Sequence, residues 1–145
     1  MTRGPGPAHV MFACVQNAGR SQIAAALFER LADPARARAS SAGTKPAAHV
    51  HPEVVATLRE IGLDVSDHVP RMLTPELART AGWLITMGCG DACPVVPGAQ
   101  RDDWPVDDPA GQPPDRVRAI REAIERRVRA LVSAQGWARA SAPAP

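Results

Sequence analysis

The sequence predicts a single α/β domain built on a parallel β-sheet, because short apolar runs alternate along the chain with segments of helical periodicity. Apolar runs at residues 9–14, 37–42 and 83–87 are typical of buried strands, and residues 101–108 contain a further short strand or turn. Parallel pairing is expected because an intervening helix can return the chain to the same end of the sheet.

Four helices are expected, three between these strands and one after the last, and each has a recognisable start or end. The first begins at Ser21, which can cap it, and the second covers residues 51–62, with a glycine as its stop. A short third helix begins at Thr74-Pro75, where a capping residue precedes proline. The last begins at Pro113, and its apolar residues recur at helical spacing at positions 117, 120, 124, 128 and 131.

Length, charge and cysteine count limit the classes of protein. The 145 residues fit one domain, assigned to residues 1–137, with a disordered tail expected at 138–145. A net charge of +2 gives no argument for nucleic-acid binding, and no apolar run is long enough for a signal core or membrane span. Three cysteines argue against a secreted disulfide framework. We therefore expect a soluble, cytoplasmic monomer without nucleic-acid or membrane partners.

The first strand and first helix are joined by a segment with the composition of an anion-binding loop. Its residues are Cys14, Val15, Gln16, Asn17, Ala18, Gly19, Arg20 and Ser21. A short loop can turn successive N–H groups toward one spot, and the helix N-terminus adds the positive end of its dipole. The planar group of Arg20 can hold two oxygens of a tetrahedral oxyanion. We therefore predict that residues 15–20 bind an oxyanion.

Cys14 is the candidate nucleophile of this site. The positive field of the loop, together with a hydrogen bond from Ser21, would favour the thiolate form of its side chain. The alternative is that Cys14 is an ordinary buried core cysteine and that Arg20 is a surface residue. The five-residue spacing between Cys14 and Arg20, at the junction of a strand and a helix, disfavours that alternative. It does not separate phosphate from arsenate chemistry.

A second candidate feature is the proline-framed acidic loop Asp107-Asp108-Pro109. Attack on a tetrahedral oxyanion expels a poor leaving group, and a carboxylic acid above the site could protonate it. Taken alone, the loop is better explained as a solvated acidic segment before a helix.

A third feature is the pair Cys89 and Cys93, which follows the predicted strand 83–87. Gly88 and Gly90 supply backbone freedom, so the two thiols could approach the Cβ separation of about 3.8 Å that a disulfide needs. A redox pair is therefore indicated. A metal site is the weaker alternative, because no matching second pair is present, and incidental loop cysteines are another.

The segment VMFACVQNAGRSQIAAALF resembles the active-site loop of the low-molecular-weight tyrosine phosphatase superfamily, which includes the thioredoxin-coupled arsenate reductases. The resemblance implies a three-layer α/β fold in which helices flank a four-stranded parallel sheet. It also implies that Cys14 is the nucleophile, Asn17 stabilises the loop, Arg20 binds the oxyanion and Ser21 stabilises the thiolate. Phosphatases of this superfamily usually carry a second cysteine within the loop, which is absent here.

The segment ITMGCGDACPVVPG, followed by the DDPAG loop, resembles the arsenate reductases specifically. The resemblance implies that Asp108, directly before proline, is the general acid. It implies a relay in which Cys89 attacks Cys14 after a thiol–arseno adduct has formed, and Cys93 then takes over the disulfide. Three residues separate these two cysteines here, whereas some members of the superfamily have six.

This resemblance implies an external thiol as the source of electrons. Thioredoxin, or mycothiol together with mycoredoxin, would reduce the final disulfide, and no metal or tightly bound cofactor is expected. The implied function is reduction of arsenate to arsenite in arsenic detoxification, with residual phosphatase activity.

Two other functions are consistent with the same residues. One is a tyrosine phosphatase, which is disfavoured because aromatic residues make up only 3% of the chain and aryl substrates favour an aromatic wall. The other is a non-catalytic sensor that binds an oxyanion or metalloid and uses the three thiols as ligands. A sensor would bind arsenite without turnover.

Overall fold

Four parallel strands form one sheet in the order β2-β1-β3-β4. A computed structural model describes residues 6–88, 94 and 96–139 of the chain. The strands are β1 (Ala8–Cys14), β2 (Ala37–Gly43), β3 (Trp83–Thr86) and β4 (Gln100–Asp103). The helices are α1 (Arg20–Leu31), α2 (Pro52–Arg59), α3 (Pro75–Ala78) and α4 (Pro114–Gln135). The predicted α/β class with a four-stranded parallel sheet is confirmed.

The central strand β1 determines where the site lies. Its register pairs Cys14 with Gly43 of β2, and Ala13 with Thr86 of β3. The chain leaves β1 toward β2 on one side and later enters β3 on the other, so the connections diverge at the carboxyl end of β1. In open α/β sheets this divergence leaves a crevice in which ligands bind. Cys14, the last residue of β1, lies at that crevice.

Alternate residues of β1 face two separate cores, which gives the molecule its three layers. Val10 and Phe12 belong to a buried cluster with apolar residues of α1, α2 and α4. Met11 and Ala13 belong to a second cluster with residues from α3 and its flanking segments. From Val10 to Cys14 the strand is therefore apolar, as expected for a sheet covered on both faces.

Two boundaries differ from the sequence expectation. The prediction that Ser21 caps the first helix is wrong: α1 begins at Arg20, Gly19 occupies the N-cap, and no side chain caps it. Ser21 instead lies in the first turn, where its hydroxyl contacts Cys14. At the other end of the chain, Ala138 forms a β-bridge with Ala32, so ordered pairing extends into the segment expected to be a tail.

Within the described part of the chain, no helix is both long enough and apolar enough to cross a bilayer.

Candidate active site

Cys14 lies at the floor of the site, with only 2% of its surface exposed. Its Sγ atom is 2.8 Å from Oγ of Ser21, which is also buried. Ser21 Oγ also accepts a hydrogen bond of 2.9 Å from Nδ2 of Asn17. Because Asn17 occupies a lone pair of Ser21 Oγ, the serine hydrogen is available to the sulfur. The structure therefore brings together the predicted nucleophile and the side chain predicted to stabilise its thiolate.

The loop from Cys14 to Arg20, termed here the anion loop, directs its carbonyl groups outward. All six carbonyls of residues 14–19 accept hydrogen bonds from the surrounding structure. The respective donors are the amides of Thr44, Lys45 and Ala47, Nε2 of Gln22, and the amides of His51 and Ile23.

Outward carbonyls fix the direction of the loop amides. Every described peptide bond is trans, so the N–H of each residue from Val15 to Arg20 points opposite to the carbonyl before it. Within the described residues, none of these six amides donates to a backbone carbonyl outside regular helices and strands. The loop thus has the concave arrangement of inward N–H groups that binds anions.

Asn17 is the residue on which the shape of the anion loop depends. It is fully buried and has a left-handed backbone conformation with φ of 52°. Its Oδ1 accepts from the amide of Arg71 at 3.0 Å, while its Nδ2 donates to Ser21. Its carbonyl accepts from Gln22 Nε2, and Gln22 Oε1 is in turn 3.3 Å from Nδ1 of His68. Asparagine adopts this conformation more readily than most residues, and here its amide also ties the loop in place.

Arg20 is held beside the anion loop by contacts from two other segments. Its Nη1 donates to the carbonyl of Val106 at 3.2 Å, and its Nη2 is 3.9 Å from Oδ2 of Asp108. Gly88 lies against the guanidinium, with φ of 103°, and a Cβ at that position would collide with Nη1. Only 14% of the Arg20 side chain is exposed. Contacts within the chain therefore hold the guanidinium beside the anion loop.

The two carboxylates of the acid loop, residues 107–111, point in different directions. Asp108 lines the same recess as Cys14, and its Oδ1 accepts from the amide of Ala110 at 3.0 Å. Asp107 instead pairs with Arg116 at the start of α4. Of the two acids, only Asp108 therefore lines the recess that contains Cys14, and its role as the general acid stays a prediction.

Glu53 of α2 ties the acid loop to the rest of the domain. Its Oε2 accepts a hydrogen bond of 2.6 Å from the amide of Gly111. Burial raises the pKa of Glu53, but the Gly111 amide and the nearby His51 lower it more, so its pKa lies below the ordinary value. Glu53 therefore stays ionised and keeps its bond to the loop at neutral pH.

The residues around Cys14 enclose a recess of about 190 Å³, including its open mouth. Its lining consists of Cys14, Gln16, Gly19, Arg20, His51 and Asp108. A water-sized molecule can be centred in only about 10 Å³ of this space. This is far below the roughly 300–1,000 Å³ of pockets for drug-sized ligands, so the recess has room only for a small ligand.

Sequence reasoning missed His51 and Glu53 as parts of this site. Both were interpreted only as the start of a helix. A signal was available, since residues 44–51 follow the carboxyl end of β2, and loops at the carboxyl ends of parallel strands converge on one site.

Cys89 and Cys93 lie outside the described residues, so their predicted redox roles stay predictions. Among the residues that the structure does describe, no three His, Cys, Asp or Glu side chains form a cluster that could hold a metal ion.

The chain belongs to the low molecular weight phosphotyrosine protein phosphatase family, whose model matches residues 9–139. Within this family it is similar to proteins named arsenate reductases. A protein of Halobacterium salinarum provisionally named arsenate reductase is 40% identical over 121 residues, which cover 81% of this chain and 85% of that protein.

Solved structures agree with this relationship. The thioredoxin-dependent arsenate reductase of Corynebacterium glutamicum is 39% identical, with a TM-score of 0.75 over 89% of this chain. This chain spans 62% of the length of the Corynebacterium protein. An arsenate reductase from Archaeoglobus fulgidus is 30% identical, with a TM-score of 0.72, over 86% of this chain and 98% of that one.

Proposed function

We propose that this protein reduces arsenate to arsenite, with Cys14 as the nucleophile. The observation that carries the proposal is that a buried thiol, the Arg20 guanidinium and Asp108 line one small recess, beside a loop whose six carbonyls are all bonded to the surrounding structure. Relatives named arsenate reductases support this choice of oxyanion.

In the first step, the thiolate of Cys14 attacks arsenic and the As–O bond on the opposite side breaks. Asp108 delivers a proton to the departing oxygen, which leaves as water, and a Cys14 S–As(V) adduct remains. The inward amides of residues 15–20 and the guanidinium of Arg20 stabilise the oxygens that carry charge in the transition state. A positioned acid of this kind contributes typically about 10²–10⁴-fold to the rate.

In the second step, the thiolate of Cys89 attacks the sulfur of Cys14. The S–As bond breaks and its electron pair remains on arsenic, which is thereby reduced from As(V) to As(III) and leaves as arsenite after protonation. The two cysteines become a disulfide. Cys93 then attacks Cys89, which frees Cys14 and leaves a Cys89–Cys93 disulfide.

An external dithiol or thiol system supplies the two electrons that restore the resting enzyme. The dependence of the Corynebacterium relative on thioredoxin supports thioredoxin as the first reductant to examine. Mycothiol with mycoredoxin is the second. These electron donors would act on the cytoplasmic protein as separate partners, with no resident cofactor.

Phosphate ester hydrolysis is the second candidate, because the family is named for phosphotyrosine phosphatases and the described site requires only Cys14, Arg20 and Asp108 for it. In that reaction, water would cleave the Cys14–phosphate adduct and no cysteine would be oxidised.

A coupled assay separates these candidates. Arsenate-dependent oxidation of reductant is measured with thioredoxin and its reductase, and separately with mycothiol and mycoredoxin. We expect turnover in the unmodified protein, no turnover in Cys14→Ser or Cys89→Ser, and strongly reduced turnover in Cys93→Ser.

Hydrolysis of p-nitrophenyl phosphate by the same variants is the control. Ester hydrolysis should survive Cys89→Ser and disappear in Cys14→Ser. Ester hydrolysis without arsenate turnover in the unmodified protein would indicate a phosphatase. Stoichiometric arsenite binding without either activity would indicate a sensor.

A further inference from the structure

The recess around Cys14 has a closed floor and an open mouth. Cys14 is 2% exposed and forms the floor, whereas the Asp108 side chain is 52% exposed and stands at the mouth. In an in-line displacement, the attacking and leaving atoms lie on opposite sides of the central atom. The oxygen that leaves must therefore point away from Cys14, toward the mouth of the recess.

Besides Asp108 and Arg20, two polar side chains line the recess, and they are bonded to each other. Nε2 of His51 is 3.0 Å from Oε1 of Gln16. Since an amide oxygen can only accept, the imidazole N–H is the donor. The oxygen of the Gln16 side chain is thereby occupied, and its amino group remains available to an oxygen in the recess.

The position of His51 is itself fixed by the anion loop. Its backbone amide donates to the carbonyl of Ala18 at 3.0 Å. Its ring lies beside Gly19, where a Cβ would stand 3.5 Å from His51 Cδ2 and 3.0 Å from Cγ of Pro109. His51 and Pro109 thus form two sides of the mouth, and a substitution of the His51 side chain leaves its backbone bond to the loop in place.

We propose that Gln16 and His51 make the site selective for free oxyanions over oxyanion esters. Gln16 is the specificity-determining residue, because its amino group contacts the oxygen that leaves. His51 is a positioning residue that acts through Gln16. The inference rests on the proposed function, in which the leaving oxygen of arsenate carries only hydrogen.

The selectivity follows from what each substrate places at the mouth. The leaving oxygen of a free oxyanion is small and can exchange hydrogen bonds with Gln16 and Asp108. An ester has carbon on that oxygen, and the carbon group must pass between the polar side chains and separate them from their partners. Gln16 is exposed and the Asp108 side chain is 52% exposed, so water can replace a contact that is lost there. The discrimination is therefore that of a single hydrogen bond, about 10-fold at most.

Kinetic measurements on Gln16→Ala and His51→Ala test the proposal, with arsenate and p-nitrophenyl phosphate as the two substrates. We expect kcat/KM for arsenate to fall about 10-fold in each variant, while that for the ester stays constant or rises. The double variant should resemble Gln16→Ala alone, because His51 acts through Gln16. His49→Ala, an exposed histidine two residues earlier in the same segment, is the matched control and should leave both values unchanged.

A binding experiment decides the inference even where arsenate reduction itself fails. In the Cys14→Ser background, calorimetry with inorganic phosphate and with phenyl phosphate gives the ratio of affinities without turnover. Gln16→Ala and His51→Ala should lower the preference for inorganic phosphate by about 10-fold. Equal losses of affinity for both ligands would leave the ratio unchanged and would show that the pair merely supports the loop. Unchanged affinities for both ligands would also overturn the proposal.

Discussion

At the scale of single residues, the site depends on the fixed orientation of the Arg20 guanidinium. A planar fork binds two oxygens of an anion only when its plane faces them, so its orientation matters as much as its charge. The carbonyl of Val106 and the carboxylate of Asp108 hold the fork from one side, and the backbone of Gly88 packs against it. Gly88 is thus part of the binding site although it has no side chain.

Gly88→Ala should weaken oxyanion binding without unfolding the protein. The added methyl group would collide with Nη1 of Arg20 and turn the guanidinium away from the recess. We expect the affinity for inorganic phosphate, measured by calorimetry in the Cys14→Ser background, to fall about 10-fold, as is typical for the loss of a charged hydrogen bond.

Gly98→Ala is the matched control for backbone strain in this experiment. Gly98 also has a positive φ, of 86°, but among the described residues no atom lies within 4 Å of a Cβ placed there. Both variants therefore carry the strain of a left-handed alanine, and only Gly88→Ala carries the collision. Equal affinities in the two variants would contradict the role assigned to the contact with Arg20.

At the scale of elements, the acid loop belongs functionally to α2 as well as to the strand before it. Glu53 in the first turn of α2 accepts a hydrogen bond from the amide of Gly111. The loop that carries Asp108 is therefore attached to α2 as well as to the strand that precedes it. The same helix begins beside His51, which anchors the anion loop. One short helix thus positions the nucleophile's loop and the acid's loop relative to each other.

The bond between Glu53 and the acid loop should be sensitive to acid. Because the pKa of Glu53 is lowered in the folded protein, its stabilising contribution is complete above the ordinary glutamate pKa, about 4.3. The contribution is lost as the pH falls through the lower, folded value. We therefore expect the hydrogen-exchange protection factor of the Gly111 amide to be constant from pH 7 to 5 and to drop below about pH 4.

Glu53→Ala should reproduce this loss at neutral pH. We expect kcat to fall several-fold, because Asp108 is no longer held over the recess, while phosphate affinity changes little. Glu76→Ala removes the equivalent exposed acid from the first turn of α3, far from the acid loop in sequence, and is the control. A Glu53→Ala protein with an unprotected Gly111 amide and an unchanged kcat would contradict the positioning role.

The sequence predicted the parts of the site that are close together along the chain. Cys14, Arg20 and Ser21 span one strand–helix junction, and their spacing alone indicates an anion loop. His51, Glu53 and Gly88 lie 30 to 75 positions from this junction in the sequence. Their approach to Cys14 and Arg20 depends on strand order and register, which local sequence patterns do not specify. Even within the junction, the capping role assigned to Ser21 was wrong, because a tertiary hydrogen bond to sulfur replaced a local one.

At the scale of the whole molecule, aromatic contacts join the segment that follows α4 to the sheet. Phe12 of β1 packs edge-on against Phe28 of α1, with ring centroids 5.9 Å apart. Trp137, just past α4, lies 6.0 Å from Phe28 and 5.7 Å from Trp83 at the start of β3. Its carbonyl also accepts from the amide of Asp33. This cluster closes the end of the sheet opposite the site.

Trp137→Ala should therefore lower stability and leave the chemistry intact. Loss of a half-buried ring and its two edge contacts should reduce the free energy of unfolding by about 2 kcal/mol, measured by urea denaturation. The rate of ester hydrolysis at 25 °C should not change, because Trp83 begins its strand whereas Cys14 ends β1, so the two lie at opposite ends of the sheet. Val69→Ala, which removes an apolar side chain that is 75% exposed, should change neither quantity and is the control. A lower rate of ester hydrolysis in Trp137→Ala, together with its lower stability, would contradict this prediction. It would mean that the end of the sheet at Trp83 is coupled to the end at Cys14.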